Sequence, residues 1–399
     1  MTYSIHIRMT LVISLLVIAA SNGMLACRAS EPLPPKGLLV VEKASQLAEV
    51  SASGATRLTI RQFDESDYAQ LARFTDVQEL TIESGTYRNK TLETIAQLPQ
   101  IAALDLSGAR ELVDADIGLL SATKIKALSL SGANITGACF RLVAKMPTLD
   151  ELRISYCRSF KSTNLSLLHK SAIRALWLSD CEGLGDEVID DALSIVTLVE
   201  LRLVGLDLHR PSISGKGSDR VTSLSFSRCT KLSGEALSLL DKFPNLADLD
   251  LTGVPIGETG CAHVLKLGKL KSLDLSATQL SDAAFDSLTA LKSLKILSVA
   301  STGIGSATLS KITGALDLTE LYAYDCRNLD DGVVTGLIAA SHLITLDVSM
   351  TKLSPAGSLR LSESKTLKSV TLRSMPLFSE SDYEAVVKGL APGIVVVRA

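Results

Sequence analysis

The 399-residue chain carries 40 basic against 43 acidic side chains, a formal net charge of −3, and 46% of its residues are apolar. That balance excludes the strongly basic footprint of a nucleic-acid-binding domain and the low hydrophobicity of a disordered chain. Aromatic residues make up only 4%, with a single Trp, too few for a base-stacking platform or an aromatic-lined pocket.

In chain order, the first feature is an address. Met1–Met9 contains His6 and Arg8, and Leu11–Ala20 (LVISLLVIAA) follows without a charge. A basic start before an apolar run of about 7–15 residues is the pattern of an export signal, and this run falls short of the roughly 20 residues that span a bilayer. The expectation is an exported protein, in the periplasm, at the cell surface or secreted. Met24-Leu25-Ala26-Cys27 resembles the lipobox of bacterial lipoproteins, although Met24 and Leu25 stand where Leu and a small residue are usual. A lipid on Cys27 would give a membrane attachment; cleavage near Ser21-Asn22-Gly23 or Cys27-Arg28-Ala29 is the alternative. Residues 1–27 are therefore read as a signal peptide of possible lipoprotein type, 28–37 as a Pro-rich spacer and 38–57 as an N-terminal cap with a short helix-like segment.

From residue 58 a single period governs the sequence. Leu-x-Leu-type triplets start at Leu58, Leu80, Leu104, Leu128, Leu152, Leu176, Leu201, Leu224, Leu249, Leu273, Leu297, Leu321, Leu346 and Val370, a mean spacing of 24 residues, and a last one is read at Ile394. Another aliphatic residue stands three places earlier in most of them, as at Ile101, Ile125, Leu149 and Leu343. Alternation in each triplet puts Leu104 and Leu106 on one side of a strand and Asp105 on the other. A second apolar set at helical spacing follows, such as Phe140, Leu142, Val143 and Met146. Ser354-Pro355, Ser281-Asp282, Thr136-Gly137 and Asp330-Asp331 offer the capping oxygens that start a helix.

This L-x-x-L-x-L pattern at a fixed period resembles the leucine-rich repeat. The resemblance implies an α/β leucine-rich-repeat solenoid: a curved horseshoe with parallel strands on the concave face and helices on the convex face, over 58–399 with a C-terminal cap. Stacked repeats bury what one repeat cannot bury alone. Cys157, Cys181, Cys229 and Cys326 each fall three residues after the second strand anchor. This resembles the cysteine-containing repeat subtype of F-box substrate adaptors, with the thiol buried at the strand exit. Buried, reduced thiols are expected in preference to disulfides, and no Cys/His cluster has zinc spacing, so neither a metal nor another cofactor is expected.

No catalytic motif accompanies the repeats, and the chain is read as no enzyme. Asp105, Asp250, Asp274 and Asp347 recur between the strand anchors and read as a solvated polar face. Partner-binding candidates are the large outward residues Arg153, Tyr156, Trp177 and Arg202, with Arg174 nearby, and a second pair, Tyr322 and Tyr324. Trp, Tyr and Arg dominate interface hot spots, although an exposed Trp also simply covers its neighbours. The stretch 203–220, with Pro211, Gly215 and Gly217, is expected to be an irregular loop. Ser379–Leu390 reads as a last helix and Ile394–Val397 as a final strand whose open edge could pair with a second chain, although a monomer is expected. The functional reading is a non-catalytic exported scaffold that holds a protein partner on its concave face. The alternatives are an F-box-like adaptor of a ubiquitin-type ligase and a structural envelope component.

Overall fold

A computed structural model describes residues 37–158, 160, 162–215, 217–390 and 394–397. The export signal and Cys27 lie outside the described residues. The chain from Leu39 onward forms one unit. Among the described residues no helix is long and apolar enough to cross a membrane.

The unit is built on one 17-stranded sheet. Its strands are β1 (Leu38–Lys43), β2 (Arg57–Asp64), β3 (Glu79–Ile82), β4 (Gly85–Thr86), β5 (Ala103–Ser107), β6 (Ala127–Ser131), β7 (Glu151–Ser155), β8 (Ala175–Ser179) and β9 (Glu200–Val204). Shorter strands follow: β10 (Ser223–Ser225), β11 (Asp248–Asp250), β12 (Ser272–Asp274), β13 (Ile296–Ser298), β14 (Glu320–Tyr322), β15 (Thr345–Asp347), β16 (Ser369–Thr371) and β17 (Val395–Val397). Each repeat pairs in parallel with the next, and the triplet leucines align from Leu58↔Leu80 through Leu201↔Leu224 to Leu346↔Val370. The last rung departs from the sequence reading. Val396, not Ile394, pairs with Val370.

The triplet leucines and the aliphatic residues three places before them are buried in one continuous apolar core. Opposite the sheet lie short α and 3-10 segments. The four start signals all act as N-caps: Ser354, Ser281, Thr136 and Asp330 each accept from a backbone N–H of the following turn. The last helix, Glu380–Gly389, is capped by Ser379. Acids beside these helix starts also tie repeats together. Asp114 accepts from the Thr136 backbone N–H at 2.7 Å, Asp331 from Ser354 N–H at 2.8 Å, and Glu65 from Lys90 N–H at 2.9 Å.

A turn closes each strand, and its geometry repeats. Four residues past the first leucine the backbone enters the left-handed region on twelve consecutive rungs, from Gly108 to Ser374, with φ between 49° and 70°. From Gly108 to Met350 the amide of that residue donates to a carbonyl of the next rung at 2.7–3.0 Å, so the strained conformation is held by a ladder bond. Glycine occupies only Gly108, Gly132, Gly205 and Gly253 of these places. A side chain in this region costs roughly 1–2 kcal/mol, partly offset by glycine's larger entropy loss on folding. Ala277→Gly, at an exposed position with φ 55°, is therefore expected to stabilise the protein by up to about 1 kcal/mol in urea unfolding. No gain would mean that the turn tolerates a Cβ without strain.

The irregular stretch behaves as its composition predicts, with no helix among the described residues between β9 and β10. It is fastened to the preceding repeat: His209 N–H and Arg210 N–H donate to Asp186 at 2.7 and 3.0 Å, and Ser214 donates to Asp190. Leu208 and Val221 fill the core there. The described cysteines are all buried and free, Cys157, Cys181, Cys229 and Cys326 at strand exits and Cys139 and Cys261 in helical segments. Burial pushes the Cys229 thiol up to about 11, which keeps it uncharged at neutral pH.

Candidate functional site on the open face of the sheet

Along each strand alternate side chains enter the core, and the others stand on the face that no helix covers. On β7, β8 and β9 these outward residues read Glu151-Leu-Arg153, Ala175-Leu-Trp177 and Glu200-Leu-Arg202, with Arg153↔Trp177 and Trp177↔Arg202 in direct register. Parallel strands put the indole between two guanidiniums. The Arg153 Cζ lies 3.9 Å from the indole centroid, and the Arg202 Cζ lies 4.7 Å from it. Each arginine is also held from its own strand: Arg153 Nε pairs with Glu151, and Arg202 Nε with Glu200 at 2.5 Å. Trp177 Nε1 is buried without a hydrogen-bond partner in this stack.

Of the sequence candidates, the structure thus brings together Arg153, Trp177 and Arg202. Tyr156 stands apart. It belongs not to the strand but to the left-handed turn after it, with φ 55°, and its side chain is 56% exposed. Arg174 lies exposed just before β8. Tyr322 and Tyr324 are half-buried on and just after β14, and Tyr322 Oη donates to Glu320 at 2.7 Å. The sequence reading missed Glu151 and Glu200, although a Glu two residues before an Arg on both rungs is the signal for an ion pair on one strand face.

The recurrent aspartates correct an expectation. They are half-buried acceptors rather than freely solvated groups. Asp105 accepts from Ser107 Oγ at 2.8 Å, Asp250 from Thr252 N–H at 2.9 Å, Asp274 from Ser276 N–H at 2.8 Å and Asp347 from Ser349 N–H at 3.0 Å. Asp250, Asp274 and Asp347 each close a turn onto the residue two places on, whereas Asp105 and Ser107 pair within β5. Burial raises Asp105 and Asp347 above the ordinary carboxylate range. Burial and then the neighbouring Asp250 push Asp274 up to about 6. Asp248 rises to about 6 through burial and then Glu200, with Arg202 and Lys271 opposing. Among the described residues no three His, Cys, Asp or Glu side chains converge to hold a metal ion.

A second pairing skips a rung. Arg228 Nη2 reaches Asp180 at 2.6 Å across Gly205, where a Cβ would stand 2.3 Å from the Asp180 carboxylate. Glycine there makes the two-rung reach sterically open.

No protein-family model and no curated protein matches the sequence. Solved structures do match the fold. The internalin inlF from Listeria monocytogenes is 15% identical, with a TM-score of 0.50 over 81% of this chain and 88% of its own. A chain of the yeast Rad7 and Elc1 complex is 16% identical, with a TM-score of 0.51 over 89% of this chain and 83% of its own. An LRR protein of Leptospira interrogans is 18% identical, with a TM-score of 0.45 over 86% of this chain and 90% of its own. The fold is the leucine-rich repeat. At these identities the likeness concerns architecture alone. Within the leucine-rich-repeat fold, the one face free of helices carries the Arg–Trp–Arg stack and both tyrosines.

Proposed function

We propose that this chain is a non-catalytic, exported binding scaffold that recognises a protein partner on the open face of its leucine-rich-repeat sheet, with Trp177 at the centre of the contact. One observation carries the reading: the single Trp is clamped between Arg153 and Arg202 on a rigid parallel ladder. Trp and Arg are hot-spot residue types, and side chains already immobilised lose little further entropy when a partner arrives. The apolar leader Leu11–Ala20 supports export. That a chain of similar fold was solved within the Rad7 and Elc1 complex is consistent with a protein partner.

A crosslinking pull-down from envelope and secreted fractions tests the reading, with a Trp177→Ala, Arg202→Glu double variant of matched thermal midpoint as comparison. Loss of a hot spot of about 2 kcal/mol or more corresponds to at least a thirtyfold drop in capture of one specific protein. Unchanged capture by the variant would remove the stack from the interface. The strand-exit thiols Cys157, Cys181, Cys229 and Cys326 stand behind the second reading, a substrate adaptor of a ubiquitin-type ligase, which capture of a ligase subunit instead of an envelope protein would favour. Capture of nothing by either sample would favour a structural envelope role.

A further inference from the structure

The open face changes character after Arg202. From β11 to β15 its two outward columns carry Asp248, Asp250, Asp274, Glu320 and Asp347, and neither Lys nor Arg stands between them. Tyr322 on β14, the fourth of these five strands, and Tyr324 just after it stand half-buried in this stretch. The Arg–Trp–Arg stack shows how this face accommodates positive charge, with a guanidinium over an aromatic ring and its Nε on a glutamate two residues away along the strand. On β14 the same spacing recurs as Glu320-Leu321-Tyr322, but the neighbouring rungs present Ser298 and Asp347 where β7 and β9 present arginines.

We propose that β11–β15 dock an extended, arginine- or lysine-rich segment of the protein partner, its cations on these carboxylates and over the two tyrosine rings. The proposal rests on the scaffold reading and names the chemistry of the partner. Charge complementarity carries it. The nearby cations are few and peripheral: Lys271 and Arg202 beside Asp248, Arg373 beside Asp347, Arg327 paired with Asp325, and Lys295 turned toward Asp317. Asp274 faces Asp250 and hydroxyl or amide donors from Ser276 and Thr252. Tyr324 is surrounded by Asp274, Asp347 and Asp325. An incoming ammonium or guanidinium would relieve this crowding, and a ring–cation contact adds to each ion pair. A metal ion is a poorer fit, since no three ligands converge among the described residues.

The test is fluorescence anisotropy of the full-length purified protein with a labelled ten-residue alternating Arg-Ser peptide, against the same peptide with Glu for Arg. The Arg-Ser peptide is expected to bind and the Glu-Ser peptide to fail. An Asp250→Asn, Asp274→Asn double variant should weaken binding at least tenfold at pH 7.5: Asn keeps Oδ1 as the acceptor for Thr252 and Ser276, its amide can donate to the Ser225 hydroxyl that Asp250 Oδ2 accepted from, and the charge is lost. Glu320→Gln with Asp347→Asn provides a second variant should the first not fold. An Asp207→Asn, Asp241→Asn variant, altered away from this face, should bind as wild type. Lowering the pH from 7.5 to 5 protonates Asp248 and Asp274, both held near 6, so binding should weaken several-fold. Equal binding by the Asp250/Asp274 variant, equal loss in the Asp207/Asp241 control, or binding unaffected at pH 5 would each overturn the proposal. Peptide binding that ignores these aspartates while partner capture still needs Trp177 would sink this proposal and leave the scaffold reading standing. The reverse pattern would keep the acidic dock and displace Trp177 from the interface.

Discussion

Phe226→Ala is expected to cost about 3–5 kcal/mol, a large share of the roughly 5–15 kcal/mol that holds a domain folded. Phe226 is fully buried and is the largest residue in the column of second anchors, where its neighbours are Leu203 and Leu251. The connection that leads into its rung has no helix among the described residues, and the one that leaves it carries the 3-10 segment Glu235–Lys242, whose Leu237 and Leu240 are fully buried. Phe226→Leu, which restores the neighbours' residue type, should cost only about 1–1.5 kcal/mol. Stability in a solenoid is close to a sum of repeat and neighbour terms, so weakening this one rung should also uncouple the two sides. Trp177, the single tryptophan, reports the earlier rungs by fluorescence, while circular dichroism reports all of them. Urea midpoints by the two methods should coincide in wild type and separate in Phe226→Ala. Coincident midpoints together with a cost no larger than that of Leu would show that the rung collapses around the missing ring.

Asp274→Asn should do the opposite at neutral pH and raise stability by about 1–2 kcal/mol at pH 7.5. The sign follows from its position near 6 in the folded protein, against about 3.9 for an exposed aspartate. Below about pH 4 the carboxyl is protonated folded or unfolded, and the substitution gains nothing by this route. Between pH 4 and 6 the unfolded chain gives up its proton first, so wild type loses stability as the pH rises. Above 6 the full penalty is present. Thermal midpoints of wild type and variant should therefore agree at pH 4 and diverge by pH 7. A constant difference across that range would mean that burial and Asp250 do not hold the carboxyl high. The residue that destabilises the fold is also one the acidic dock requires, a common compromise at binding surfaces.

Much of the architecture is legible before any coordinates, because a buried column forces the same side chains at the same interval. Leu58 to Val370 keep their register for that reason, and capping oxygens such as Ser354 mark helix starts through local hydrogen bonding. The final strand is found where it is read, but its anchor is misplaced by two residues, Val396 for Ile394, because Ile394-Val395-Val396-Val397 is uniformly aliphatic and marks no register. The aspartates are misread as solvated because charge alone suggests water. The repeated Asp-x-Ser/Thr spacing at 105–107, 250–252, 274–276 and 347–349 is the sign of an acceptor tied to the residue two places on, within the strand at Asp105 and across the turn at the other three. Tyr156 has the parity of the buried Leu152 and Ile154, and only the left-handed turn at φ 55° carries it outside, so strand alternation does not place it beside Trp177. Glycines at 108, 132, 205 and 253 marked the place where the chain turns left-handed. The ion pairs of Glu151 and Glu200 depend on rotamers that no spacing specifies.

The unbroken parallel ladder also acts as a ruler. Trp177 on β8 and Tyr322 on β14 are six strand steps apart. At about 4.8 Å per step that is roughly 29 Å, the reach of about nine residues of extended chain. No metabolite bridges such a distance. A protein partner that engages both aromatic centres at once must present a folded domain or a stretch of polypeptide laid across the strands, and trimming such a stretch below about nine residues would leave it holding only one end.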